Sequence, residues 1–237
     1  MPETLKDIQA RHSTRVPFDP EHVVSQEDLR KILAAGRWAP TAHNMQNFEV
    51  IAVDDPQLLE EIGAIQRPIS ITFVRENYQQ LSFSEEELLR KKVGLLGTNF
   101  PPAWRKPDVK PEDVAEPGAA VRSLPFSPVL LFVLYDPGRR APASEGDFLG
   151  IISLGCMMEN MWIAAQSLGI GFQIISAYTA SSAEEEVKKL LGIPESLKIA
   201  FTVRVGYPAG EPPKTLRVRR EVEDFTHHNH FGRKGLD

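Results

Sequence analysis

Phe148-Leu-Gly-Ile-Ile-Ser-Leu-Gly-Cys-Met-Met-Glu-Asn-Met-Trp-Ile-Ala-Ala-Gln-Ser-Leu-Gly-Ile-Gly-Phe-Gln-Ile-Ile-Ser-Ala-Tyr-Thr-Ala-Ser-Ser-Ala183 holds a single formal charge, Glu159, in 36 residues. Its length and apolarity alone would permit a membrane span. Against that stand Asn160, Gln166 and Gln173, the breaks at Gly169 and Gly171, and the lack of a flanking basic excess. A fully buried helix to about Leu168, followed by a buried strand, accounts for the pattern better, with Gly171–Ala177 reading as a short strand or loop. Such a pair needs a sheet with helices packed around it.

The chain on either side supplies those elements. Upstream, Pro128-Val-Leu-Leu-Phe-Val-Leu-Tyr-Asp136 is an apolar run of strand length closed by Pro137-Gly138, which predicts a central strand. Downstream, Ala183–Leu191 opens on Glu184-Glu-Glu and closes on Lys188-Lys189, matching the helix macrodipole. Lys198–Gly206 reads as the last internal strand, and a polar tail begins near residue 210. Because that tail cannot fold alone, it either stays disordered or lies across another surface. Toward the amino terminus, helical periodicity starts near Thr4, and Ser25 caps a second helix, with Asp28 at the third position, that Pro40 ends. Phe48–Asp54 reads as a buried strand and Gln57–Ile65 as a helix. Mixing without strict βαβ alternation predicts an α+β domain.

One domain over residues 1–237 is expected, interrupted at about 66–124 by an insert whose only clear periodicity is a charged helix over Ser84–Val93. A long, weakly patterned insert is either a functional lid or a linker, and both readings stand. The 27 basic and 32 acidic residues give a charge of −5, which leaves no basic field for nucleic acid or an anionic membrane. A single cysteine, Cys156, excludes an internal disulfide and a multi-thiolate metal site; in an apolar helix it reads as a small buried hydrophobe. The charged amino terminus lacks the apolar stretch of a secretory signal, so a cytoplasmic location is expected.

Signatures of nucleotide hydrolysis, zinc peptidases and serine hydrolases are absent, and Gly169-Ile-Gly171 follows a helix where a dinucleotide loop would open one. His227-His-Asn-His230 lies in the tail without a carboxylate pair, and no metal site is assigned there. Arg11-His12-Ser13-Thr14-Arg15 offers two guanidinium groups, an imidazole and two hydroxyls, the donors that a phosphate and a sugar chain require. It reads equally as a solvated helix end. Ala39-Pro40-Thr41-Ala42-His43-Asn44-Met45-Gln46-Asn47 places many uncharged donors and acceptors between a helix and a strand, either as a ligand loop or as a solvated connection. Arg217-Val-Arg219-Arg220 presents alternate residues on one side of an extended tail.

In order, these segments resemble the nitroreductase family of flavin-dependent oxidoreductases. The matching pieces include Arg11–Arg15, Ala39–Gln46, Asn160-Met-Trp-Ile-Ala-Ala165 with Leu168-Gly-Ile-Gly171, and Leu191-Gly-Ile-Pro194. Arg217–Arg220 with His228-Asn-His-Phe-Gly232 completes the set. The resemblance implies a nitroreductase-like α+β fold, with a central, mainly antiparallel sheet surrounded by helices. It also implies an intertwined homodimer with FMN bound at the interface, in sites drawn from both chains. Arg11, His12, Ser13 and Arg15 would take the phosphate, ribityl chain and pyrimidine edge, and Pro40, Thr41, Ala42 and Asn44 would reach the same flavin from the partner. Ile174, Ile175, Ser176 and Ala177 would lie beside the ring, a backbone amide donating to its hydride-carrying nitrogen, while Arg217 and Arg219 would close on the phosphate. The activity implied is transfer of a hydride from NADH or NADPH through the flavin to a small electrophilic acceptor such as a nitroaromatic or quinone, in ping-pong order, with no catalytic side chain required. Alternatives are a specialised member (a reductive dehalogenase or a flavin-destroying enzyme) or a flavin-storing protein without turnover.

Two departures bear on the site. Asn47 stands where the family more often has proline after glutamine, and Ser176-Ala177 replaces a more typical acidic-glycine pair. In the insert, Phe73, Tyr78, Phe83, Phe100 and Trp104 either stack on a flat acceptor or form a small core of their own.

Overall fold

The computed structural model describes residues 1–66, 70–99, 105–106, 110–113, 126–144, 148–179, 181–211 and 214–236. The chain forms two compact units, Met1–Arg67 with Val121–Pro212 and Pro68–Ala120 with Pro213–Asp237.

In the first unit, strands β1 (Glu49–Val53), β2 (Val129–Tyr135), β3 (Gly171–Ile175) and β4 (Lys198–Gly206) make an antiparallel sheet in the order β1-β2-β4-β3. Successive side chains of β2 point to opposite faces, and both faces are covered. Val129, Leu131 and Val133 meet Leu29 and Ile32 of α2 (Gln26–Gly36) and Leu154, Met157 and Met161 of α6 (Phe148–Ser167). Leu130, Phe132 and Leu134 meet Ile62 of α3 (Pro56–Ala64) and Val187 of α7 (Ser181–Leu191). Burial on both sides is why β2 reads as an unbroken apolar run, and each such side chain contributes roughly 1.5–3 kcal/mol. The α+β reading is thereby established.

Local signals set the element ends. The Ser25 hydroxyl accepts from the Asp28 N–H at 3.0 Å and starts α2. Gly169, at φ 71°, lets the chain leave α6, with the Ile170 N–H returning to the Ala165 carbonyl at 2.9 Å. Helices α2 and α6 pack closely because Gly36 has no side chain, since a Cβ there would stand 2.9 Å from Met161 Cγ.

Two burial expectations are corrected. Strand β1 lies at the sheet edge, beside β2 alone among the described residues, and its Glu49 and Ala52 are exposed. Helix α6 is not covered all round: Ser153, Leu154, Met157, Met161, Trp162 and Ala165 are buried, but Phe148, Leu149, Ile151 and Ile152 are exposed. Its apolar circumference exceeds what one chain covers in the described residues. It is also the one described helix long and apolar enough to cross a membrane.

The second unit joins insert and tail. Helix α4 (Ile71–Ser82) is capped by Ser70, α5 (Glu85–Lys91) follows, and α8 (Val222–Phe225) lies in the tail. The sequence reading missed α4. Ile71, Val74, Tyr78 and Leu81 have helical spacing, but apart from Phe73 the residues between them are polar, and no residue of the helix is fully buried. Lys92 ties the parts together, its Nζ 3.5 Å from Asp224 and 4.0 Å from Glu221. Of the insert aromatics, Phe73 is partly exposed, Tyr78 lies under Lys106 and Phe83 under Lys91, whereas Phe100 and Trp104 lie outside the described residues. In the tail, His227 stacks on Phe231 and its Nδ1 accepts from the Gly232 N–H at 2.9 Å.

Candidate active site

Residues 11–15 leave α1 (Glu3–Ala10) and are fixed between β3 and α6. Thr14 is buried and anchors the segment: its N–H donates to the Phe172 carbonyl at 3.1 Å, and the Phe172 N–H donates to Thr14 Oγ1 at 3.2 Å. Glycine at 171 permits this approach, because a Cβ there would lie 2.8 Å from Thr14 Cγ2 and 2.6 Å from Phe18 Cε1. From α6, Trp162 Nε1 donates to the His12 carbonyl at 3.0 Å.

The two arginines have different surroundings. Arg11 lies over the Trp162 ring, 4.2 Å from its centroid, with Nε 3.0 Å from Glu159 Oε1. Glu159, the lone charge of the apolar stretch, therefore has a partner 148 residues away in sequence. Arg15 is half-buried and has no carboxylate partner among the described residues. Burial lowers its pKa, since desolvation penalises the charged form. Ser13 and His12 are partly exposed beside it.

The second segment, 40–47, crosses the amino-terminal half of α6. The Ala42 N–H donates to Ser153 Oγ at 3.2 Å, and that hydroxyl donates to the Leu149 carbonyl at 2.7 Å. Ser153 and Glu159 are six residues apart, about 9 Å along the helix, so α6 carries both segments. His43, Asn44 and Gln46 have φ of 50°, 53° and 46°, a left-handed backbone that side chains seldom adopt. The loop is held there by its own polar groups: the Gln46 N–H donates to Thr41 Oγ1 at 3.2 Å and Gln46 Nε2 to Asn44 Oδ1 at 3.1 Å. Pro40 is exposed at its start.

Asn47 completes the restraint. Its Nδ2 donates to the Asp136 carbonyl at 2.9 Å and the Arg139 carbonyl at 3.3 Å, while its Oδ1 accepts from the Asp136 N–H at 3.2 Å. Rigidity at this position comes from three hydrogen bonds to the turn after β2. The sequence marked Asn47 as a departure, but its partners are 89 and 92 residues away.

Ile174 and Ile175 end β3, Ile175 facing the core, and Ser176 and Ala177 form the turn that follows. Within that turn the Thr179 N–H returns to the Ser176 carbonyl at 3.2 Å. Arg217 and Arg219 belong to the second unit. Arg217 has φ 49° and Arg219 Nη1 donates to the Val218 carbonyl at 2.8 Å.

An α+β sheet-and-helix frame thus carries a cationic segment locked between β3 and α6 and a polar loop of left-handed backbone against the same helix. Residues 8–207 match the Nitroreductase family, and the chain belongs to that family. A relative from Archaeoglobus fulgidus, provisionally named an NADH dehydrogenase/NAD(P)H nitroreductase, is 25% identical over 89% of this chain and 88% of its own. The fold is similar to that of a Bacteroides fragilis nitroreductase with bound FMN, at TM-score 0.59 and 24% identity over 92% of this chain and 96% of that one. A Desulfitobacterium hafniense nitroreductase with bound FMN aligns at TM-score 0.57 and 22% identity over 97% of this chain and 100% of its own.

Proposed function

We propose that the protein is an FMN-dependent oxidoreductase, acting as a homodimer, that carries reducing equivalents from NADH or NADPH to a small electrophilic acceptor. The observation that carries this reading is the half-buried Arg15 guanidinium, without a carboxylate partner among the described residues, on a segment locked between β3 and α6. A buried cation of that kind suits a phosphate monoester, and both FMN-bound family structures lend the cofactor. When bound, FMN supplies the redox chemistry, accepting a hydride from the nicotinamide and passing electrons to a nitroaromatic, quinone or similar acceptor in ping-pong order.

The chain's own residues bind, orient and exclude water. Arg15 and Arg11 would hold the phosphate, with His12 and Ser13 on the ribityl chain and pyrimidine edge. Pro40, Thr41, Ala42 and Asn44 would approach from a second copy. The backbone of Ile174–Ala177 would border the ring, and Arg217 and Arg219 would add charge at the phosphate. The exposed apolar half of α6 supports the dimer, since a second copy would cover it.

The test is the flavin content and mass of the purified protein. About one FMN per chain, native or after reconstitution, and twice the chain mass are expected. A colourless monomer that does not take up FMN would contradict the proposal.

A further inference from the structure

The turn after β2 carries Arg139 and Arg140, both exposed and neither with a carboxylate partner among the described residues. With Thr41, Ala42, Asn47 and Ser153 they line one small concavity. Among the described residues no acidic side chain contributes to its lining. The nearest carboxylate in the same turn, Asp136, accepts from the Gly138 N–H at 2.8 Å and makes no ion pair with either arginine.

These cations do not ride on a free linker. The Arg139 N–H returns to the Asp136 carbonyl at 3.2 Å, Asn47 holds the Asp136 and Arg139 carbonyls, and Ala141 is buried just beyond. The same Asn47 amide fixes the 41–46 loop, so the turn and that loop are one built edge. Two guanidinium groups without counter-charge among the described residues, beside the Thr41 hydroxyl, form an anion-recognition surface. The anionic co-substrate of the proposed reaction is the dinucleotide, which carries a pyrophosphate and, in NADPH, a 2′-phosphate.

We propose that Arg139 and Arg140 form the subsite that holds the phosphate groups of the nicotinamide dinucleotide. The proposal rests on the oxidoreductase reading above and deepens it. Its test is direct binding, by calorimetry, of ADP-ribose and 2′-phospho-ADP-ribose, which lack the nicotinamide. The proteins compared are the wild type, Arg139→Ala/Arg140→Ala and Arg139→Lys/Arg140→Lys, with FMN content measured on the same samples.

The expected result is that the wild type binds, the alanine pair binds about tenfold or more weakly, and the lysine pair falls between. Added salt should weaken the wild type most. Equal losses for both probes place the arginines on the pyrophosphate, and a loss confined to the phosphorylated probe places them on the 2′-phosphate. Either supports the subsite. No binding to the wild type, or equal affinity in the wild type and the alanine pair, would overturn it. FMN content reports separately on the oxidoreductase reading: full FMN with unchanged probe affinity removes only the subsite.

Discussion

Arg11 and Arg15 stand four residues apart, yet only one has its charge met within the described residues. Arg11 is held by Glu159 at 3.0 Å and by the face of Trp162. Arg15 is half-buried with no carboxylate beside it among the described residues. Arg15→Ala should therefore weaken FMN binding by roughly 1.5–3 kcal/mol, at least tenfold in Kd, with little change in melting temperature. Arg11→Ala should weaken FMN binding and also lower the melting temperature, because it removes the partner of Glu159. Fluorescence titration and thermal melts on both variants check this, and an equal loss of stability in the two would contradict it. The sequence showed both arginines but not which was paired, because Glu159 lies far along the chain and meets Arg11 only once α6 packs.

At the scale of elements, the site depends on a missing side chain. Thr14 and Phe18 press on Gly171, and a Cβ there would also lie 2.9 Å from the Gly206 carbonyl. Backbone cannot move aside cheaply, so Gly171→Ala should cost about 1–3 kcal/mol in denaturant unfolding and displace the 11–15 segment, weakening FMN binding. Unchanged stability would refute the close packing. Helix α5 makes a different prediction. Glu87 accepts from the Ser84 N–H at 2.8 Å while the Ser84 hydroxyl accepts from the Glu87 N–H at 3.2 Å. The first of these bonds chiefly lowers the Glu87 pKa from its ordinary 4.5. The native state thus binds fewer protons than the unfolded chain, so this stabilisation is complete above the ordinary value and fades as pH falls through the lowered one. The difference in melting temperature between wild type and Glu87→Gln should shrink from about pH 6 to about pH 3, and a constant difference would contradict the cap. The Ser25 cap made α2 readable, the charges of Ser84–Val93 made α5 readable, and its unbroken apolar run made β2 readable. Helix α4 was not readable because its apolar spacing is not backed by burial, and the edge position of β1 depends on strand order, which its local pattern does not encode.

For the whole molecule, the long apolar stretch proved to hold more than the described residues cover. Phe148 is 70% exposed and Ile151 53%, on a helix whose other side fills the core. On the proposed dimer, a charge placed there, Ile151→Glu, should give a monomer and reduce FMN occupancy together, because the 40–44 loop would act on the other chain's flavin. Sedimentation with flavin absorbance reads both at once, and a dimer that persists with full FMN would place the interface elsewhere. Family and fold were legible because ordered segments at both ends agree. The insert was legible only in part, since its residues mostly serve a second unit in which they meet the tail.

The most direct measurement is an anaerobic absorbance spectrum of the FMN-loaded protein before and after NADH, and then NADPH. The account predicts oxidised flavin bands that bleach with one or both nucleotides and return when a quinone is added. Bands that stay oxidised with both nucleotides would contradict it and leave a protein that binds flavin without turning it over.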